Sequence, residues 1–389
     1  MQVLAALGLK LHGFGYKTLG LRRVHHLLES ADSMAWSERA LRLAEDAGDA
    51  REIAHGLNGV ALMYFLRNLP RLGKVVLDLA AEFSRKHQLR RELGRSLVNK
   101  LAFDLNRDLP AALEAGREAM SVNEQTGNTN MSWHTAVNQA IMLGLAGAWD
   151  EMSTLRDRPL LQERPPERSQ AAVLALEAAL IASAREEQVD LAELDELAAI
   201  SEAGHPDSVS TMYYVANRAM HARVTNQRDV LTEACRRVVD LARRHVALDD
   251  DFPHLWTLAV GWMIDAQDYV GARELLRPVA DVPPTRLSPL LTAQLRRLRG
   301  TIDALDPATT ADPAAIEQDL LDGIARLDAF GAMPDRARAQ ATLGVWLTQH
   351  GRPEAAAPHL AAARETFAEL RATAWLRDLD AAVTLSAVG

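Results

Sequence analysis

His245, Asp249, Asp250, Asp251 and His254 fall in one short stretch of the chain, and carboxylates beside imidazoles are a donor set for a divalent cation. No known ligand spacing repeats there, and consecutive aspartates ahead of a helix also favour its positive amino end. A solvated loop between helical units is the expected reading, and no metal is assigned. The string Gly13-Phe14-Gly15-Tyr16-Lys17-Thr18 is the nearest approach to a phosphate loop. That chemistry needs a glycine immediately before the lysine and a strand before the loop, so that backbone N–H groups can cradle phosphate. Tyr16 occupies the glycine position, and Thr18 stands where a dinucleotide fingerprint has its third glycine, so the string reads as a helix-breaking loop. His25 and His26 are adjacent and point to different sides of a helix, which excludes an i, i+4 chelate. His134, Asp150 and Ser153 make no triad by order alone. With no nucleophile, base and stabiliser placed together, the chain is expected to be non-enzymatic and to need no cofactor.

Binding chemistry is better represented. Asn58 and Asn138 share one phase of a repeating pattern, and Asn99 and Gln139 share the next. Carboxamides both donate and accept, so a ladder of them could grip the backbone of an extended peptide without reading its side chains. The alternative is that these four bond to neighbouring helices or to water. Glu177 interrupts an apolar series and reads as a solvated or capped position, with a groove contact as the second reading. Arg236, Arg237, Arg243 and Arg244 read as a solvated helix face, with an acidic partner as the other use.

The elements that would position these groups repeat after about 40 residues, the spacing of stacked helical units. Glu52, Leu69 and Pro70 return as Glu92, Leu109 and Pro110. Between them Ile53, Leu57, Ala61 and Phe65 become Leu93, Leu97, Leu101 and Leu105, then Trp133, Val137, Ile141 and Leu145. A step of four marks one helix face. Each unit therefore reads as two helices joined by a tight turn. Asn68 and Asp108 serve as N-caps, and the following prolines sit in a first turn where a missing N–H costs nothing. The turn phase continues through Trp149-Asp150, Val189-Asp190, Asp229-Val230 and Tyr269-Val270, whereas the apolar phase slips at Glu177, Asn217, His221 and Gly261. The expected organisation is one elongated domain over 1–389, with regular units over 1–300, a polar insertion at 301–315 and terminal units with a cap over 316–389. Running the register backwards places Ser33 to Ala47 in a second helix and starts the stack in mid-unit. Leu4 and Leu7 are then left as exposed apolar positions.

Composition agrees with an all-helical chain: aromatic residues are only 5%, and no alternating β-branched run is present. A net charge of −9 gives no general attraction to phosphate backbones or anionic membranes. The single Cys235 excludes an internal disulfide and a cysteine-rich zinc module. Met1 to Leu9 lacks the basic leading segment and cleavage site of a secretion signal, and no run approaches the ~20 apolar residues of a spanning helix. A cytoplasmic protein is expected.

The last unit reads Leu343-Gly344, Gly351-Arg352-Pro353-Glu354-Ala355-Ala356, then Leu360 and Ala363, and in this it resembles the tetratricopeptide repeat. Trp256, Tyr269 and Ala272 fit the same pattern. The longer period, and the stretch Ala337 to Leu379, are similar to the carboxy-terminal repeats of large bacterial signalling ATPases, LuxR-type activators and ATPase-linked class III adenylate cyclases. The resemblance implies a right-handed α-solenoid of about eight units. It also implies a regulatory role: an interaction module for a protein or peptide held on the concave face or the amino-terminal end, with neither nucleic acid nor membrane as partner. The alternative is a self-standing sensor that takes a peptide or small ligand in its groove.

Overall fold

A computed structural model of the protein describes residues 33–67, 69–158, 161, 165, 167–202, 208–245 and 251–388. These form eighteen α-helices and no strand. None of them is long and apolar enough to cross a membrane. The expectations for residues 1–32, which include Leu4, Leu7, the glycine loop, His25 and His26, lie outside the described residues.

The chain divides into two compact units, residues 1–104 with 111–138 and residues 105–110 with 139–389, where the sequence pattern suggests one continuous domain. The first unit contains α1 (Ser33–Asp46), α2 (Ala50–Leu66), α3 (Pro70–Lys86) and α4 (Arg90–Asp104). The helices α5 (Leu109–Gln125) and α6 (Thr129–Ala146) contribute to it in part. The second unit contains α7 (Trp149–Leu155), α8 (Arg168–Arg185), α9 (Leu191–Glu202), α10 (Ser208–Val224), α11 (Arg228–His245) and α12 (Phe252–Asp265). It continues through α13 (Tyr269–Ala280), α14 (Pro289–Leu305), α15 (Pro313–Phe330), α16 (Met333–Gln349), α17 (Pro353–Glu369) and α18 (Thr373–Val388).

Helices stop by one recurring device. A residue in the left-handed region follows the last turn, and the next amide reaches back five positions, which pairs carbonyls the helix end would orphan. Gly48, Gly127, Gly147, Gly331 and Gly351 do this with bonds from Asp49 to Ala44, Asn128 to Asn123, Ala148 to Leu143, Ala332 to Leu327 and Arg352 to Leu347. Gln88, Glu186, Asn226, Gln267 and Arg371 do the same without being glycine, so half of the stops carry no glycine for a sequence reading to find. Helix starts are more varied. Asp49, Asp268, Ser288 and Asp312 cap with their side chains, and Asp312-Pro313 opens α15 as its sequence suggests. The expected cap of α3 is corrected: Leu69 holds that position without a side-chain bond, while Asn68 lies outside the described residues. The expected insertion at 301–315 is helical up to Leu305 and becomes a short turn only from Asp306 to Asp312.

Side-chain size sets how closely the helices of a pair approach. At Gly344 on α16 a β-carbon would lie 2.6 Å from the Leu360 side chain of α17, so the glycine permits the contact that its leucine-glycine motif marks.

The second unit closes on itself. Its first helices, α8, α10, α12, α14, α16 and α18, pack in succession, and α18 packs again on α8. A repeat stack with neighbour contacts alone would lack that last step. Arg185, only 6% exposed, anchors it: Nε donates to the Leu370 carbonyl at 3.0 Å, and Nη2 donates to Asp150 at 2.7 Å. Thr373 Oγ1 donates to the Arg185 carbonyl at 2.9 Å. Arg371 pairs with Asp150 and Arg377 with Glu186. The Trp149 and Trp375 rings meet edge to face with centroids 5.4 Å apart, a favoured aromatic geometry.

Candidate functional site

Eight helices, α6, α7, α8, α10, α12, α14, α16 and α18, line a partly enclosed cavity of about 120 Å³ in the second unit. Its apolar wall includes Leu180, Ile181, Leu258 and the indoles of Trp149, Trp262 and Trp375. Its polar groups are Glu177, Arg223, His254, Asp265, Gln294, Asp335 and Arg338.

Glu177 and His254 form its buried pair. They are 2% and 7% exposed, His254 Nε2 lies 2.6 Å from Glu177 Oε1, and neither atom has another partner among the described residues. Burial alone would lower the His254 pKa. The charge and hydrogen bond of Glu177, with the charges of Asp251 and Asp335, outweigh burial and the net shift is upward. Gly144 makes room for the carboxylate, since a β-carbon there would sit 2.8 Å from Glu177 Oε2. The expected solvated or capped position of Glu177 is thus corrected: the apolar series breaks there because a buried imidazole from α12 needs a counter-charge.

The other carboxylates are also paired. Asp335 accepts from Gln294 Nε2 at 2.6 Å and lies 3.3 Å from Nη2 of Arg297. Arg297 is 3% exposed, and its Nε donates to Gln294 Oε1 at 2.7 Å. Asp265 is shared by two cations, Arg223 at 3.3 Å and Arg338 at 3.4 Å. Arg223 also donates to Ser183 Oγ at 3.0 Å, and the Arg338 guanidinium lies 5.4 Å from the centre of the Trp375 ring.

Of the other slipped positions, Gly261 alone lines the cavity, while Asn217 joins two of the helices that carry it. Asn217 is fully buried and its Nδ2 donates to the Ala172 carbonyl at 2.8 Å, tying α10 to α8. Gly261 lines the cavity, and a β-carbon added there would meet nothing within 4 Å. By contrast, a β-carbon added at Gly56, Gly73, Gly94, Gly144, Gly271, Gly300, Gly323 or Gly344 would lie about 3 Å or less from a neighbouring atom. Glycine in a helix interior costs about 1 kcal/mol against alanine, so Gly261 holds this space open at the expense of helix stability.

The four carboxamides singled out in the sequence do not line the cavity. Asn58 Nδ2 donates to the Ala54 carbonyl and to Ser96 Oγ, and its Oδ1 accepts from Asn99 Nδ2 at 3.1 Å. Asn138 and Gln139 are buried, with Nδ2 of the first and Oε1 of the second lacking a partner among the described residues. Because Asn58 joins α2 to α4, Asn58→Ala is expected to destabilise the first unit by about 1–3 kcal/mol, the cost of stranding buried partners. Urea unfolding measures this, and an unchanged midpoint would reject the structural role.

Of the sequence-suggested metal cluster, Asp249 and Asp250 and the His245 side chain lie outside the described residues. His254 turns instead to Glu177. No group of three or more His, Cys, Asp or Glu among the described residues is placed to hold a metal. In the first unit Glu92 meets Arg51 at 3.1 Å and His55 at 3.8 Å. Burial and the neighbouring Arg95 lower the His55 pKa. Burial raises the Cys235 thiol to about 12, which leaves it unreactive.

No curated protein matches this chain. The sequence model of a family described as DpdA, DeoxyPurine in DNA protein A, matches residues 2–77, a segment that takes in α1, α2 and the start of α3 and none of the cavity residues.

Proposed function

We propose that the chain is a non-enzymatic helical-repeat recognition module of a bacterial signalling or transcriptional regulator, and that its second unit takes a small ligand in the cavity. Gly261 carries this reading: a helix gives up stability to keep space that no side chain of the protein occupies. The wall supports it, since ligand pockets combine apolar and aromatic surface with a few fixed polar groups. In the same proposal the helices are tetratricopeptide-like pairs in a right-handed stack with a period near 40 residues. Its support is the start of successive second helices at Pro70, Leu109, Trp149, Leu191, Arg228 and Tyr269. The occupied module acts on a protein partner in the cytoplasm.

Native mass spectrometry tests the cavity after the protein is mixed with a low-molecular-weight bacterial extract. The expected result is a retained small molecule on the wild type that is absent from Gly261→Leu. The leucine fills the space, and as a better helix former it leaves α12 stable. Equal retention by both proteins, or by neither, would reject the reading.

A further inference from the structure

We infer that the ligand of this cavity is a small carboxylic acid with an apolar body, its carboxylate held by Arg223 and Arg338. The inference rests on the cavity being the ligand site and adds the chemistry of what enters it. The first support is charge. Three carboxylates face the cavity, Glu177, Asp265 and Asp335, and each already has a cation. Glu177 is paired with His254, Asp335 with Arg297, and Asp265 with both Arg223 and Arg338. One positive charge is therefore left over, and it is carried by two guanidinium groups, whose planar forks match a carboxylate. The Arg223 and Arg338 side chains are 28% and 34% exposed, so water screens part of this surplus, and an anion entering beside them meets the rest directly.

Preorganisation is the second support. Ser183 and Asp265 fix Arg223, while Asp265 and the face of Trp375 fix Arg338, so neither long side chain must be ordered when a ligand arrives. Size and surface give the third. A cavity of about 120 Å³ is close to the roughly 150 Å³ that accommodates benzene in an engineered core. Leu180, Leu258 and Trp262 line it beside the arginines. An amine would face the surplus charge with like charge, and a neutral alcohol would leave the surplus unmet.

Three six-carbon probes of matched shape decide this by calorimetric titration at low salt: hexanoate, hexan-1-ol and hexylamine. Hexanoate is expected to bind saturably to the wild type, and the alcohol and amine at least about tenfold more weakly. Arg338→Gln and Arg223→Gln should each weaken hexanoate about tenfold or more through loss of charge-assisted bonds. Circular dichroism melting identifies any variant that has lost its fold, and Arg338→Gln, whose residue makes the longer contact to Asp265, is the milder of the two. Gly261→Leu should abolish binding. Hexanol or hexylamine binding as tightly as hexanoate, and lost in Gly261→Leu, would overturn the carboxylate while leaving the cavity as a ligand site. Hexanoate binding that ignores both arginine variants, or no saturable hexanoate binding, would overturn it as well; the extract experiment judges the cavity separately.

Discussion

Trp256→Ala is expected to lower the stability of the second unit by about 3–5 kcal/mol, the range for deleting a large buried aromatic side chain. The indole is fully buried in α12, stacks near Phe252 with ring centroids 6.3 Å apart, and donates from Nε1 to the Leu275 carbonyl of α13 at 2.7 Å. It therefore fills the space between the two helices of one pair and pins their register. Trp256→Phe keeps most of the volume and loses the hydrogen bond, so its expected cost is nearer ~1 kcal/mol with some cavity formation added. Urea denaturation followed by near-ultraviolet circular dichroism reads both changes. A loss below ~1 kcal/mol for the alanine variant, typical of exposed positions, would contradict the packing.

Glu177→Gln is expected to cost about 3 kcal/mol or more at pH 6, because the buried pair is broken and the imidazole must give up its proton to stay buried without a counter-charge. The sign of the pH dependence follows from the raised His254 pKa. In the wild type the pair's stabilisation is fully present below the unfolded histidine value near 6.5, and it fades as pH rises through the higher folded value. In Glu177→Gln burial is the dominant influence left, with only the flanking Asp251 and Asp335 opposing it. The imidazole must then be neutral when folded, and stability falls as pH drops through the unfolded value. The gap between the two proteins should accordingly be widest in mild acid and shrink towards pH 9. Tryptophan emission reports on this, since Trp149, Trp256, Trp262, Trp346 and Trp375 all lie in the second unit. A difference constant from pH 5.5 to 9 would show that the pair does not titrate as described.

The apolar faces of the early helices were legible because a step of four marks a packed face. Leu97, Leu101, Val137 and Ile141 are buried where a step of four places them, and α1 covers the stretch that the backward register assigns to it. The cavity was visible only in negative. Its lining residues Glu177 and Gly261 break the apolar phase, as do Asn217 and His221 outside it, and such breaks look alike in a sequence whether they mark weak repeats or a site. What joins them is contact between helices many tens of residues apart, and the pairing of Glu177 with His254 has no local signature. Asn58 and Asn99, which the sequence pattern places in adjacent phases, bond to each other rather than to an outside partner.

The return of α18 onto α8 changes how the second unit can come apart. Helix pairs that touch only their neighbours can melt from an edge like a zipper, each loss independent of the far end. Here Arg185 and Trp149 hold Leu370, Thr373 and Trp375, so unzipping α18 also strips a neighbour from α8. Backbone amides of α17 and α18 should then exchange with solvent at rates set by the opening of the whole unit. Trp149 and Trp375 meet at this seam, and both indoles also wall the cavity. Any occupant thus lies directly against the latch that keeps the ring of contacts shut.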